Sequence, residues 1–231
     1  MTTTSNSDSQ VSVLDLVRSA LGRSVTLLPA PLEPFVERSE IGDGSGLTAR
    51  FIQEATGVRA QVHRVSDERQ IVGKIAELCA SQNDEVAISG AELFREMDLP
   101  GNLAARGLSI FADHEADHER LTARLAKCGV GVTAADYAIA ETGTLVLSSD
   151  EQNALLVSLL PPIHIAVVRS EQMIASIDQA ISRINNERMT RADPTRSISM
   201  ITGPSRTSDV ELVLSIGVHG PKELHVIILE M

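Results

Sequence analysis

The chain has 231 residues, 43% of them hydrophobic, which suffices for one α/β domain with an ordinary packed core. Its formal net charge of −11 argues against a sequence-independent nucleic-acid binder, because such a protein neutralises phosphates with lysine and arginine. The first residues lack the pattern of a signal peptide, and the two cysteines form no CxxC pair. The longest apolar window is too short to cross a bilayer. We therefore predict a cytoplasmic protein without a membrane span.

Apolar periodicity divides the chain at about residue 40. Residues 1–10 predict a disordered tail, and residues 11–40 an amphipathic helix with a proline-containing connector; residues 11–231 are predicted to form a single domain. The predicted strands are 58–65, 85–89, 107–111, 142–148, 164–168, 197–201 and 223–229. The predicted helices beyond the connector are 45–57, 67–81, 115–127, 151–157 and 170–186.

This alternation of strands and helices predicts the fold class. Strands that are separated by helical segments of ten or more residues indicate an α/β fold with an open, mainly parallel sheet and helices on both faces. The near-continuous apolar runs HIAVV (164–168) and HVIIL (225–229) fit strands that are buried on both faces.

The segment SISMITGPSRTSDVE, residues 197–211, predicts a strand, a loop and a helix. Its loop would lie at the carboxyl end of a strand and at the start of a helix capped by Ser208 and Glu211, where open sheets bind anions. Ser205, Arg206 and Thr207 would suit a phosphate or a carboxylate. The alternative is a Gly-Pro turn with ordinary helix capping, which accounts for every one of these residues except Arg206.

Two further segments carry candidate groups. In GVHGP, residues 217–221, His219 either points into the same crevice as Arg206 or bonds to backbone in a loop. Glu141 precedes the strand 142–148 and is either a general base or nucleophile, or a structural acceptor for backbone N–H groups. Gly143 lets the backbone approach a neighbour closely.

The stretch HEADH, residues 114–118, formally matches the H-E-x-x-H motif of zinc proteases through His114, Glu115 and His118. A further acidic residue, Asp117, occupies a position that such helices keep uncharged. We therefore interpret the stretch as a solvated, charged helix start, and predict no metal site.

Four motifs give the most specific signal: AADYAIAETGTLVL (134–147), SLLPPIHIAVV (158–168), ITGPSRTSDVE (201–211) and GVHGPKELHVIIL (217–229). In this order they resemble the LUD domain, and more narrowly its lactate utilisation protein C (LutC/YkgG) group. The resemblance implies a fold similar to the NagB/RpiA/CoA-transferase group. It also implies a role in oxidising L-lactate to pyruvate beside two partner proteins that carry iron–sulfur clusters. Longer relatives add a ferredoxin-like cysteine cluster, which this chain lacks, so no cofactor is expected in the chain itself.

The resemblance supplies no catalytic roles, so the site is inferred from the residues. We predict a crevice at the carboxyl-terminal edge of the sheet that binds a small carboxylate or phosphate. Glu141 and His219 are its candidate catalytic residues. The predicted ligand-binding residues are Thr142, Gly143, Thr144, Gly203, Ser205, Arg206, Thr207, Asp209 and Gly220.

Three functions stay open on this evidence. The first is a cluster-free subunit of a lactate-oxidising complex. The second is a stand-alone enzyme of the same fold, either CoA transferase-like with Glu141 as nucleophile or similar to 5-formyltetrahydrofolate cyclo-ligase. The third is a regulatory protein that senses a metabolite. Whether the chain itself is an enzyme is left open.

Overall fold

The computed structural model of the protein describes residues 45–80, 85–112, 118–149, 155–190, 197–208, 214–217 and 219–230. The tail, helix and connector predicted over residues 1–40 lie outside these ranges, as do His114 and Glu115 of the HEADH stretch.

The described elements alternate as the apolar periodicity indicates. The helices are α1 Ser45–Gly57, α2 Glu68–Cys79, α3 Glu92–Glu96, α4 Leu99–Ala104, α5 His118–Leu125, α6 Leu155–Leu159 and α7 Ile177–Thr190. The strands are β1 Gln61–Val65, β2 Val86–Ile88, β3 Ile110–Ala112, β4 Val130–Ala134, β5 Tyr137–Ile139, β6 Thr144–Ser149, β7 Ile163–Arg169, β8 Met173–Ile174, β9 Ser197–Ile201, β10 Arg206–Ser208, β11 Leu214–Ile216 and β12 Glu223–Leu229. None of the seven helices in this part of the chain combines the length and the apolar character that a bilayer span requires.

The main sheet has six strands in the order β1-β12-β7-β4-β2-β3, and every pair in it is parallel. On one face, α2, α3 and α4 bury side chains such as Ile71, Phe94 and Leu103 against the sheet. The other face is covered by α1 through Phe51 and by α5 through Leu125. The α/β fold with a parallel sheet covered on both faces is thereby confirmed.

A second sheet lies against the face that α1 covers. Its order is β8-β5-β6-β9, with β6 antiparallel to both of its neighbours. The predicted strands 142–148 and 197–201 therefore belong to this smaller sheet. The helix predicted over 170–186 begins only at Ile177, because Ser170–Gln172 form a 3-10 turn and β8 follows it.

The helix predicted to start at Ser208 is wrong. Arg206–Ser208 and Leu214–Ile216 pair as antiparallel strands, with Arg206 opposite Ile216. In the sequence, apolar residues recur at every second position from Val210 to Ile216, which is the period of a strand. That alternation outweighs the capping-box pattern, which is a weak signal without a helical apolar period behind it.

The close backbone approach predicted at Gly143 is present. Gly143 has a φ of +65°, and a Cβ at this position would overlap the backbone of Ala55 in α1. The glycine thus seats the turn before β6 directly on α1, which is a structural role.

Gly143→Ala is expected to lower the free energy of unfolding by about 1–3 kcal/mol more than Gly107→Ala. Gly107 also has a positive φ, of +87°, but a Cβ there meets nothing within 4 Å. Both variants carry the backbone strain, so their difference isolates the overlap with α1. Urea unfolding of the two variants measures it, and equal stabilities would contradict the packing described here.

Candidate functional site

A cavity of about 310 Å³ brings the two polar loops together. It is lined by residues 158–159, 164, 200–206, 219–221 and 224. Five residues of the predicted site line this cavity: Gly203, Ser205, Arg206, His219 and Gly220.

Backbone hydrogen bonds hold the two loops against each other. The Ser205 N–H donates to the Pro221 carbonyl at 2.9 Å, and the Gly217 N–H donates to the Ser205 carbonyl at 3.0 Å. The Lys222 N–H donates to the Pro162 carbonyl at 2.7 Å, which fixes the second loop over the start of β7. The cavity wall is thus built from backbone that is already paired.

The cavity lies at the opposite edge of the main sheet from the predicted one. His164 and Leu224, which line it, are paired near the amino-terminal ends of β7 and β12. The predicted placement of these residues at the carboxyl-terminal edge is wrong because it assumed that strand 197–201 belongs to the parallel sheet. That strand, β9, runs antiparallel to β6, and its carboxyl end leads to the other edge.

Two groups at the mouth of this cavity suit an anion. Arg206 and His219 are both exposed, and the Arg206 Nη2 donates to the Val58 carbonyl at 3.3 Å. Within the described ranges, no carboxylate pairs with the Arg206 guanidinium. A guanidinium offers five N–H donors, so one bond to a carbonyl leaves a fork that matches a carboxylate.

His164 lies in the same cavity and was not among the predicted site residues. Its side chain is buried, and its Nε2 lies 2.7 Å from the Thr133 Oγ1. Its Nδ1 has no hydrogen-bond partner in the described part of the protein. Burial lowers the pKa of His164 to about 3, so the ring is neutral at physiological pH. The sequence around His164 gives no local sign of an unpaired ring nitrogen, because the apolar run HIAVV predicts only a buried strand.

Glu141 lies outside the lining of the cavity. Its Oε1 accepts a hydrogen bond of 2.8 Å from the Ile177 N–H, at the start of α7. An acidic side chain stabilises a helix at this end. The contact fits the alternative that Glu141 is a structural acceptor.

Threonine hydroxyls link the segment that follows Glu141 to the cavity. Thr142 Oγ1 lies 2.7 Å from Thr144 Oγ1, which lies 2.8 Å from Thr202 Oγ1. Of these, only Thr202 lines the cavity. Of the remaining predicted residues, Thr207 lies on β10 and Asp209 is outside the described residues.

A larger cavity of about 640 Å³ lies at the carboxyl-terminal edge of the main sheet. It is lined by Thr48, Ala49, Ile52, Arg64, Ser170, Glu171 and Glu230. The Arg64 guanidinium donates to both carboxylate oxygens of Glu230, at 2.6 and 3.0 Å. With its one arginine already paired and Glu171 beside it, this cavity is poorly suited to an anion.

No group of three or more His, Cys, Asp or Glu side chains in the described ranges is placed to hold a metal ion. His118 begins α5, and the rest of the HEADH stretch is outside those ranges. The interpretation of HEADH as a solvated helix start therefore stays a prediction.

Comparison with known proteins identifies the family to which this chain belongs. The model of the LUD domain family matches residues 48–229. A lactate utilization protein C from Halalkalibacterium halodurans is 34% identical over 180 residues, which are 77% of this chain and 76% of the relative. One from Oceanobacillus iheyensis is 34% identical over 45% of each chain. YkgG from Escherichia coli is 29% identical over 96% of this chain and 99% of its own length.

A solved structure supports the fold. A DUF162 family protein from Deinococcus radiodurans aligns with a TM-score of 0.57 over 79% of this chain and 96% of that chain. Because the two sequences are 23% identical, this likeness concerns the fold alone. Together with the family match, it confirms the resemblance that the four motifs indicate.

Proposed function

The chain belongs to the LUD domain family, and from this membership we propose that it acts in lactate utilisation. Its role is that of a cluster-free subunit that supports the oxidation of L-lactate to pyruvate. This oxidation releases two electrons and two protons, and iron–sulfur clusters on partner proteins accept the electrons. The observation that carries the proposal is the 34% identity, over three quarters of both chains, to a lactate utilization protein C.

The cavity of about 310 Å³ supports this proposal at the level of chemistry. Lactate is a small carboxylate, and the exposed Arg206 guanidinium at the cavity mouth presents a donor fork of the matching shape. His219, also exposed at the mouth, adds a second group that donates when its ring N–H faces the anion. In this proposal the chain binds and presents the acid, and the redox chemistry takes place with the partners.

The test of the complex is an anaerobic affinity purification from cells grown on lactate, with iron quantified and co-purifying chains identified. We expect cysteine-rich partners with stoichiometric iron. Extracts without this chain are expected to lose lactate-dependent reduction of an acceptor dye while the iron content of the partner fraction is unchanged. A clean single chain, with full dye reduction in its absence, would contradict the proposal.

Arg206→Ala is expected to abolish the rise in melting temperature that millimolar L-lactate gives the wild-type chain, because the carboxylate loses its guanidinium partner. Arg64→Ala is the matched control. Arg64 is an exposed arginine of the other cavity and is already paired with Glu230, so its loss is expected to leave the lactate shift intact. Differential scanning fluorimetry measures both, and an unchanged shift in Arg206→Ala would remove Arg206 from the site.

A further inference from the structure

A buried histidine that lacks one hydrogen bond lies at the inner end of the candidate cavity. His164 has a relative exposure of 1%, and its Nδ1 is buried without a hydrogen-bond partner in the described part of the chain, so bulk water does not satisfy this atom. Buried polar side-chain atoms in native proteins are nearly always paired, so an unpaired one beside a cavity points to a partner that binds there. Because His164 lines the cavity, a ligand held there is the nearest source of that partner.

The chemistry of the ring restricts what this partner is. The ring is neutral, so it does not act as a counterion for a carboxylate. The bond to Thr133 allows two tautomers. If the Thr133 hydroxyl donates to Nε2, Nδ1 carries the proton and donates; if Nε2 donates to Thr133, Nδ1 accepts. The hydroxyl group of a ligand both donates and accepts, so it satisfies Nδ1 in either tautomer.

Exposed apolar side chains lie among the polar residues of the cavity lining. Leu159 and Met200 line it and are two of the three large hydrophobic side chains that are exposed in the described part of the chain, at 37% and 43%. Exposed apolar side chains at the rim of a polar cavity are typical of a site that receives a small organic ligand. The cavity therefore has an arginine at its mouth, exposed apolar side chains at its rim and the buried, neutral ring of His164 in its lining.

We propose that His164 recognises the hydroxyl group of a 2-hydroxy acid whose carboxylate is bound by Arg206. This inference rests on the proposed function, since it uses the same cavity, and it names the feature that separates a hydroxy acid from other small carboxylates. A ligand that reaches Nδ1 displaces a side chain of the cavity lining, because the atom is closed to water in the structure. His164 is here a residue for specificity, and no bond is made or broken in this step.

Isothermal titration with L-lactate and with propionate tests this directly. The two acids differ only by the hydroxyl group. The wild-type chain is expected to bind L-lactate about tenfold more tightly than propionate, the discrimination of roughly one hydrogen bond. His164→Leu is expected to bind both acids with the affinity of propionate, and Arg206→Ala is expected to weaken both acids equally.

The inference and the proposed function fail differently. Equal wild-type affinities for lactate and propionate would overturn the role of His164 and leave the anion site in place. No binding of either acid at millimolar concentration would overturn the anion site itself, and the role of His164 with it.

A second measurement needs no variant, since His164→Leu replaces a ring that is bonded in the core. In the ¹⁵N spectrum of the wild-type imidazoles, L-lactate is expected to shift the Nδ1 resonance of His164, and propionate is expected to leave it in place. An Nδ1 resonance that shifts with neither acid, although both acids bind, would overturn the inference. A Thr133→Val chain, altered outside the cavity lining, serves to assign the ring, because it removes the only described partner of Nε2.

Discussion

Acidification from pH 7 to pH 5 is expected to lower the free energy of unfolding by about 2 kcal/mol through His164 alone. The pKa of His164 is about 3 in the folded protein, whereas a histidine in the unfolded chain has its ordinary value of about 6.5. Below pH 6.5 the His164 ring therefore binds a proton in the unfolded chain but stays uncharged in the folded protein. The stability that depends on an uncharged His164 is fully present above pH 6.5 and is lost as the pH falls. Urea unfolding at pH 7, 6 and 5, followed by circular dichroism, measures it.

Two more histidines act in the same direction. The His63 and His225 rings stack on adjacent strands β1 and β12, with Nε2 and Nδ1 3.2 Å apart. Burial lowers the pKa of both; for His63 the His225 ring adds to this effect, and for His225 Glu223 opposes it. Their stabilisation is likewise lost as the pH falls below 6.5.

Two variants separate the contributions of these histidines to the stability that is lost at low pH. His63→Gln is expected to remove the smaller part of the pH dependence and His164→Asn the larger part. Glu77 and Glu85 contribute little in this window, because their pKa values are lowered by Lys74 and Arg124 and their effect therefore lies below pH 5. A His164→Asn chain that loses as much stability between pH 7 and pH 5 as the wild type would contradict the burial described for the ring.

The sequence was most informative where a whole element is buried. The runs HIAVV and HVIIL lack alternation, and they became β7 and β12 at the centre of the parallel sheet. The second sheet was missed because β5 and β8 have only three and two residues, too short for any period to be recognised. Its strands β6 and β9 were found as strands, but pattern alone does not say which sheet a strand joins.

The candidate site shows the same division. Ser205, Arg206 and His219 were found because polar residues concentrate beside Gly-Pro turns, and a loop keeps such residues at the surface. Their position relative to the main sheet depended on one pairing, that of β9, which local sequence does not specify. His164 was missed since its importance lies in an unpaired nitrogen, which is a property of its surroundings in three dimensions. The larger cavity joins Thr48, Arg64 and Glu230, which are too far apart in sequence to form a motif.

Gly131→Ala is expected to be the most destabilising Gly→Ala substitution among the described glycines, costing about 3 kcal/mol or more. Gly131 lies on β4, between β2 and β7, where a Cβ would overlap the carbonyl oxygen of Val157 in α6. Backbone does not rotate away as a side chain does, so either α6 shifts or the sheet bends. The free energy of unfolding in urea measures this cost.

Gly73→Ala gives the control with the opposite sign. Gly73 lies inside α2, and a Cβ there meets only an Arg106 side-chain nitrogen at 3.8 Å, an ordinary contact. Alanine is expected to stabilise the chain by about 0.5–1 kcal/mol at this helix position.

The same two variants also test the link between this packing and the smaller cavity. Ser158 and Leu159 of α6 line that cavity, so a shift of α6 changes its lining. Gly131→Ala is thus expected to weaken the lactate-induced thermal shift, and Gly73→Ala to preserve it; a Gly131→Ala chain of wild-type stability would contradict the contact between β4 and α6.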